Sequence, residues 1–185
     1  PPDSWRKLNK AELFVSDDGE TTRWASLASD VFWDKVNRVS AAIVRYCESR
    51  PWAERVIGYT NFTVNEGTHG PVCEGLLFDH GQPMQKRWRA FLQAKYPDEG
   101  KLRAAYGATA TWDNVAVPRD RLREPVPQVT SNLYWQDEAM NRPLRDYLEL
   151  QRELWHLRFT ELSASMASAV DRQVIMLYDC LKQTQ

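Results

Sequence analysis

Two short apolar runs constrain what this chain can fold into. Residues 56–60 read Val-Ile-Gly-Tyr-Thr, and residues 174–178 read Val-Ile-Met-Leu-Tyr. The second does not alternate apolar with polar at all. A continuous apolar run of this length fits a strand covered on both faces, as in a parallel sheet. Each run follows a long amphipathic helical pattern, so the two strands are joined by a helical crossover. Such a crossover imposes parallel pairing and a right-handed connection. The predicted class is therefore α/β, a piece of a β/α barrel or of an open sheet.

Both runs turn polar at their carboxyl ends. The first passes into Thr63, Asn65, Glu66, Thr68 and His69, and the second into Asp179-Cys180. Ligands bind at the carboxyl ends of parallel strands, because the connecting loops converge there. Glu66 is therefore the expected chemical centre, and Asp179 stands at the same ligand-facing end. Residues 63–81 form a long loop containing Gly67, Gly70, Gly75 and Gly81. Loops of that length inside compact domains are often functional. An ordinary solvated loop is the competing reading at each of these positions.

The helices are marked by their caps and spacing. Ser29 is a good N-cap for a helix over 30–49, with Val31, Phe32, Val36, Val39, Ile43 and Tyr46 as its apolar stripe. Pro83 opens a helix to residue 96 that buries Met84, Trp88, Phe91 and Leu92. Asp98 caps a short helix over 99–106, ended by Gly107. Residues 108–135 carry Pro118, Pro125 and Pro127 and read as irregular. A long helix covers 136–171, with Pro143 marking its start. Residues 1–28 read as irregular, apart from a short strand at 12–15 and a turn at Asp17-Asp18-Gly19-Glu20.

Length and charge narrow the partners. The 185 residues suffice for a single domain, 1–185, with a real core. Lys plus Arg number 24 against 25 for Asp plus Glu, so there is no basic surplus for phosphate, and nucleic acid is not expected. No apolar run approaches the roughly 18 residues of a membrane helix, so no membrane partner is expected. The start, PPDSWRKLNK, has no signal-peptide core. Cys47, Cys73 and Cys180 lie far apart, and their odd number leaves a free thiol, which favours a reducing, cytoplasmic compartment. His69, Cys73, Glu74 and His80 make a poor metal constellation; they read better as polar loop side chains, with His69 a substrate contact. No metal or cofactor is expected. Among the tryptophans beside polar loops, Trp112 is a candidate platform for a sugar ring, and Asp79-His80 could orient a sugar hydroxyl.

Residues 25–59, from ASLASDVFW to AERVIGY, resemble the third barrel helix and fourth strand of β-galactosidase-like glycoside hydrolases of the family 42 type. Residues 85–107 are similar to the helices that follow, through Trp88-Arg89-Ala90-Phe91-Leu92, Lys95-Tyr96 and Tyr106-Gly107. Asn141-Arg142-Pro143-Leu144, the long helix and VIMLYD resemble the next helix and the fifth strand. The resemblance implies a partial (β/α)8 TIM barrel with parallel strands and long helices. It also implies that an Asn-Glu pair ends the fourth strand, with the Glu as general acid/base and the Asn on the sugar 2-hydroxyl. Asn65-Glu66 matches that pair. Two more residues separate Tyr59 from Glu66 than in the commoner spacing, so Glu74 is the fallback acid.

The chemistry needs two carboxyl groups. One protonates the glycosidic oxygen as the bond breaks, and the other attacks the sugar carbon from about 5–5.5 Å away in retaining enzymes. The resemblance puts the nucleophile on the seventh strand, whereas this chain reaches only the fifth, and a full barrel takes about 250 residues. The expectation is a segment of a hydrolase of β-linked galactose-like sugars, with the nucleophile outside these residues. Additional polypeptide would complete the barrel, or exposed edges would drive self-association. The alternative is a non-catalytic carbohydrate-binding or structural α/β domain.

Overall fold

The computed structural model describes residues 2–61, 78–119 and 138–178. The helices are α1 (Asp3–Leu8), α2 (Asp30–Glu48), α3 (Gln82–Lys95), α4 (Glu99–Tyr106) and α5 (Glu138–Ala167). The strands are β1 (Leu13–Val15), β2 (Thr21–Ala25), β3 (Gly58–Asn61) and β4 (Ile175–Tyr178). The class is mixed helix and strand. The two predicted strands pair in parallel, Gly58 opposite Ile175 and Asn61 opposite Tyr178. β1 and β2 form an antiparallel hairpin. Its turn needs Gly19, which sits at φ 85°.

Both parallel strands start later than the apolar runs suggest. A tight turn over Ala53–Arg55 occupies the chain ahead of β3, and the Val56 carbonyl accepts from Arg172 at 2.8 Å. Ile57 is left 80 % exposed and Ile175 54 %. Two-sided burial, expected of strands in a parallel sheet, is therefore not reached by these residues. Gly58 is required where β3 begins, because a Cβ there would lie 2.3 Å from the Ile175 carbonyl oxygen.

The helices follow their local signals. The Ser29 hydroxyl accepts from the Phe32 amide at 3.0 Å, and the Asp98 carboxylate accepts from the Lys101 amide at 2.8 Å. Gly107 ends α4 at φ 104°. Met84, Trp88 and Leu92 of α3 bury against Leu102 of α4 and against Tyr147, Leu150 and Leu154 of α5. This forms the larger core. A smaller one holds Val44, Leu162 and Met166, with Val36, Tyr59 and Met176 against it. α2 and α5 meet through Trp33 and Trp155, edge to face at 6.2 Å.

Two helical expectations are corrected. Pro143 lies inside α5 rather than at its start. On α2 the buried side chains are Trp33, Ala41 and Val44, while Val31, Val39, Ile43 and Tyr46 remain exposed. The apolar surface of α2 is wider than the contact the other described residues make with it. No helix among the described residues is long and apolar enough to cross a membrane.

Candidate functional site at the strand exits

The in-register pairing sets the geometry of the site. Asn61 and Tyr178 lie side by side as the last paired residues of the ladder. Both strands therefore leave the sheet at one end. Asn65 and Glu66 follow Asn61 by four and five residues, and Asp179 follows Tyr178 directly. Asn65, Glu66, His69, Glu74 and Asp179 lie outside the described residues. Trp112 is described: it is half-buried on the stretch after α4, and its indole N–H donates to the Tyr96 carbonyl at 3.2 Å. Its ring packs against the larger core.

The described chain resumes at Phe78 and Asp79, both buried. The Asp79 carboxylate accepts from the Gly81 amide at 2.8 Å and from the Val15 amide at 3.2 Å. The Asp79 amide donates to the Tyr147 hydroxyl at 2.8 Å. The Phe78 and Tyr147 rings lie 5.1 Å apart. His80 Nε2 is 2.6 Å from the Asp17 carboxylate, and the His80 amide donates to the Val15 carbonyl at 2.8 Å. Asp79 and His80 thus pin the β1–β2 hairpin to the start of α3. Burial pushes the Asp79 carboxyl above the usual range, against the pull of the nearby Ser26 hydroxyl and the two amides. Its second oxygen, Oδ2, has no hydrogen-bond partner among the described residues. Burial likewise raises the Tyr147 hydroxyl, keeping it neutral.

A second buried carboxylate organises the helices. Asp146 accepts from the Tyr96 hydroxyl at 2.6 Å and the Tyr106 hydroxyl at 2.8 Å, and Lys95 lies 3.0 Å away. Burial, and then Asp146, raise both tyrosines. Sequence spacing gives no sign of this cluster, because its members come from three helices. The only local hint is Lys95-Tyr96, recognisable as part of the family-like helix but not as a partner for Asp146.

The amino ends of the strands carry a third cluster. Arg172 donates to Glu48 from Nε at 2.9 Å and Nη2 at 2.8 Å, and to the carbonyls of Ala53 at 2.9 Å and Val56 at 2.8 Å. Tyr59 also donates to Glu48. The bond from Arg172, then that from Tyr59, holds the Glu48 carboxyl below its ordinary range. Burial, then Glu48, pushes Tyr59 up to about 12. Among the described residues, no group of three or more His, Cys, Asp or Glu is placed to hold a metal ion.

No family model matches the sequence, and no curated protein matches it. Solved structures do. A β-galactosidase from Rahnella sp. R3 superposes with a TM-score of 0.67 at 14 % identity, over 96 % of this chain and 24 % of that one. A β-galactosidase from Bacillus circulans sp. alkalophilus gives 0.63 at 14 % identity, over 96 % and 25 %. The catalytic domain of a β-amylase from Paenibacillus polymyxa gives 0.68 at 14 % identity, over 95 % and 44 %. The chain spans about a quarter of the length of these β-galactosidases. It has the fold of a segment of glycoside hydrolases, of β-galactosidases and a β-amylase alike.

Proposed function

We propose that the chain is a segment of a (β/α)8 glycoside hydrolase acting on β-linked galactose-like sugars, of the family 42 type. Glu66 is its general acid/base and Asn65 positions the sugar 2-hydroxyl. His69, Glu74, Trp112 and Asp179 contact substrate. The nucleophile comes from polypeptide outside these 185 residues. The observation that carries the reading is the register of Asn61 with Tyr178. It starts the Asn-Glu stretch and Asp179 from neighbouring points, as a site built from strand ends requires. The β-galactosidase neighbours support the substrate class, and Asn65-Glu66 supports the acid/base role.

The test is Glu66→Gln in the natural gene product, assayed on an aryl β-galactoside. The expected loss in turnover is about 10²–10⁴-fold, with circular dichroism unchanged. Wild-type turnover in that variant rejects the assignment. Loss on Glu74→Gln instead moves the acid to Glu74. The competing reading is a carbohydrate-binding or structural α/β segment, favoured by the short share of each β-galactosidase that the chain covers. It predicts galactoside binding with no turnover in the gene product.

A further inference from the structure

Among the described residues α3 is the most basic element. It carries Lys86, Arg87, Arg89 and Lys95 and no acidic residue, in a chain whose net charge is −1. Two of these cations meet carboxylates on other helices. Arg87 lies 2.7 Å from Asp30 of α2, and Lys95 lies 3.0 Å from Asp146 of α5 and also pairs with Glu149. Lys86 and Arg89 are exposed and pair with no carboxylate among the described residues. They stand one turn apart on one flank of the helix. Each therefore repels the other, and no acidic residue of α3 offsets them.

That flank lines an open groove of about 510 Å³, within the roughly 300–1,000 Å³ of small-molecule sites. Lys86 and Arg89 share the groove with His80, Gln82, Gln85 and Gln93, and its lining includes no carboxylate. Helical spacing gathers these side chains. Positions 82, 85, 86, 89 and 93 recur at three and four residues, beside the buried stripe of Met84, Trp88 and Leu92. The head of the groove is fixed in place. His80 Nε2 is 2.6 Å from the Asp17 carboxylate, and Gln85 Nε2 donates to the His80 carbonyl at 3.2 Å.

We propose that this groove is an accessory binding site for an acidic saccharide, one that carries a carboxylate on a hydroxylated ring. Lys86 and Arg89 take the carboxylate, the guanidinium offering two parallel donors. The glutamine amides take ring hydroxyls. Each amide holds both a donor and an acceptor, and so does each hydroxyl, so the two match in either direction. The side chains of an acidic peptide and the phosphates of a nucleic acid present acceptors only, which leaves the amide oxygens without partners. The proposal rests on the glycoside hydrolase reading for saccharide as the ligand class, and not on Glu66.

The experiment is isothermal titration calorimetry of the natural gene product with trigalacturonate, beside the neutral β-1,4-galactotriose and hexaglutamate. The double variant Lys86→Gln, Arg89→Gln is titrated with wild type. Both side chains are exposed, so the fold is kept, and circular dichroism checks it. Trigalacturonate should bind wild type and bind the double variant at least about tenfold more weakly, while galactotriose changes by less than about twofold. Turnover of an aryl β-galactoside should be alike in wild type and the double variant. Absence of trigalacturonate binding overturns the proposal, as does equal affinity in the double variant. Hexaglutamate binding as tightly as trigalacturonate also overturns it, because the groove then reads charge alone. Glu66→Gln should leave trigalacturonate affinity unchanged. If that variant keeps wild-type turnover while binding still depends on Lys86 and Arg89, the acid/base assignment fails and this site stands.

Discussion

The guanidinium of Arg172 meets the carboxylate of Glu48 through two parallel hydrogen bonds, 2.9 Å from Nε and 2.8 Å from Nη2, across a separation of 124 residues in sequence. The same Nη2 reaches the carbonyls of Ala53 and Val56. One side chain therefore ties the end of α2, the turn before β3 and the segment leading into β4. A planar fork suits this geometry, and a lysine cannot reproduce it. Arg172→Lys should lower the urea midpoint nearly as far as Arg172→Ala. Full rescue by lysine would show that charge alone is enough.

The partners of Arg172 also set a pH dependence. Glu48 is held below its ordinary carboxyl value of 4.5, so its contribution is present above that value and is lost as pH falls through the folded pKa. Tyr59 is raised from 10.0 to about 12, so its contribution is complete below pH 10 and is lost as pH rises through about 12. Glu48→Gln should therefore be less stable than wild type at neutral pH, and the difference should shrink under acid. Ultraviolet titration should show one tyrosine, absent from Tyr59→Phe, that ionises near pH 12. A Tyr59 titrating near pH 10 contradicts the bond to Glu48.

Asp79 behaves in the opposite sense to Glu48. Burial raises its carboxyl, so ionisation opposes folding and the penalty grows as pH rises through the unfolded value of 3.8. Asp79→Asn keeps an acceptor for the Val15 and Gly81 amides and removes the charge. It should gain on wild type between acid and neutral pH in urea melts. Asp79→Ala leaves the buried Gly81 amide and the part-buried Val15 amide without their acceptor and should cost about 1–3 kcal/mol. Equal effects of Asn and Ala would show that the acceptor is dispensable.

Gly58→Ala should loosen the parallel ladder. Its Cβ would fall 2.3 Å from a backbone carbonyl, which cannot swing away as a side chain would. A cost of about 2–4 kcal/mol is expected in denaturant melts, in line with overpacking and backbone strain. A loss below about 0.5 kcal/mol would mean that β3 and β4 part readily.

The hydroxyls on Asp146 should act as a pair. Tyr96→Phe and Tyr106→Phe should each cost about 1 kcal/mol, and the double variant more than their sum, because one buried carboxylate oxygen then loses both of its hydroxyl donors. A double-mutant cycle measures the excess. Strict additivity would show two independent bonds.

Signals within one turn of helix were readable from sequence. Ser29, Asp98 and Gly107 mark helix ends because capping is local chemistry, and the Met84–Trp88–Leu92 spacing found the buried face of α3. The parallel pairing was legible too, since a helical crossover permits little else. The buried face of α2 was not, because its apolar arc is wider than any single contact it makes. The roles of Asp79 and His80 were not either: their partners Val15, Asp17 and Tyr147 lie more than 60 residues away. Of the site, the strand exits were legible from the change of polarity at their ends. The acid/base residue rests on the Asn-Glu pattern alone.

The clasp at Arg172 fastens β3 and β4 where they begin, not where they end. Whatever follows Asn61 and Tyr178 can lengthen, shorten or change composition without unfastening the framework. The residues beyond the strand ends can therefore vary while the framework persists, in keeping with a shared fold at 14 % identity.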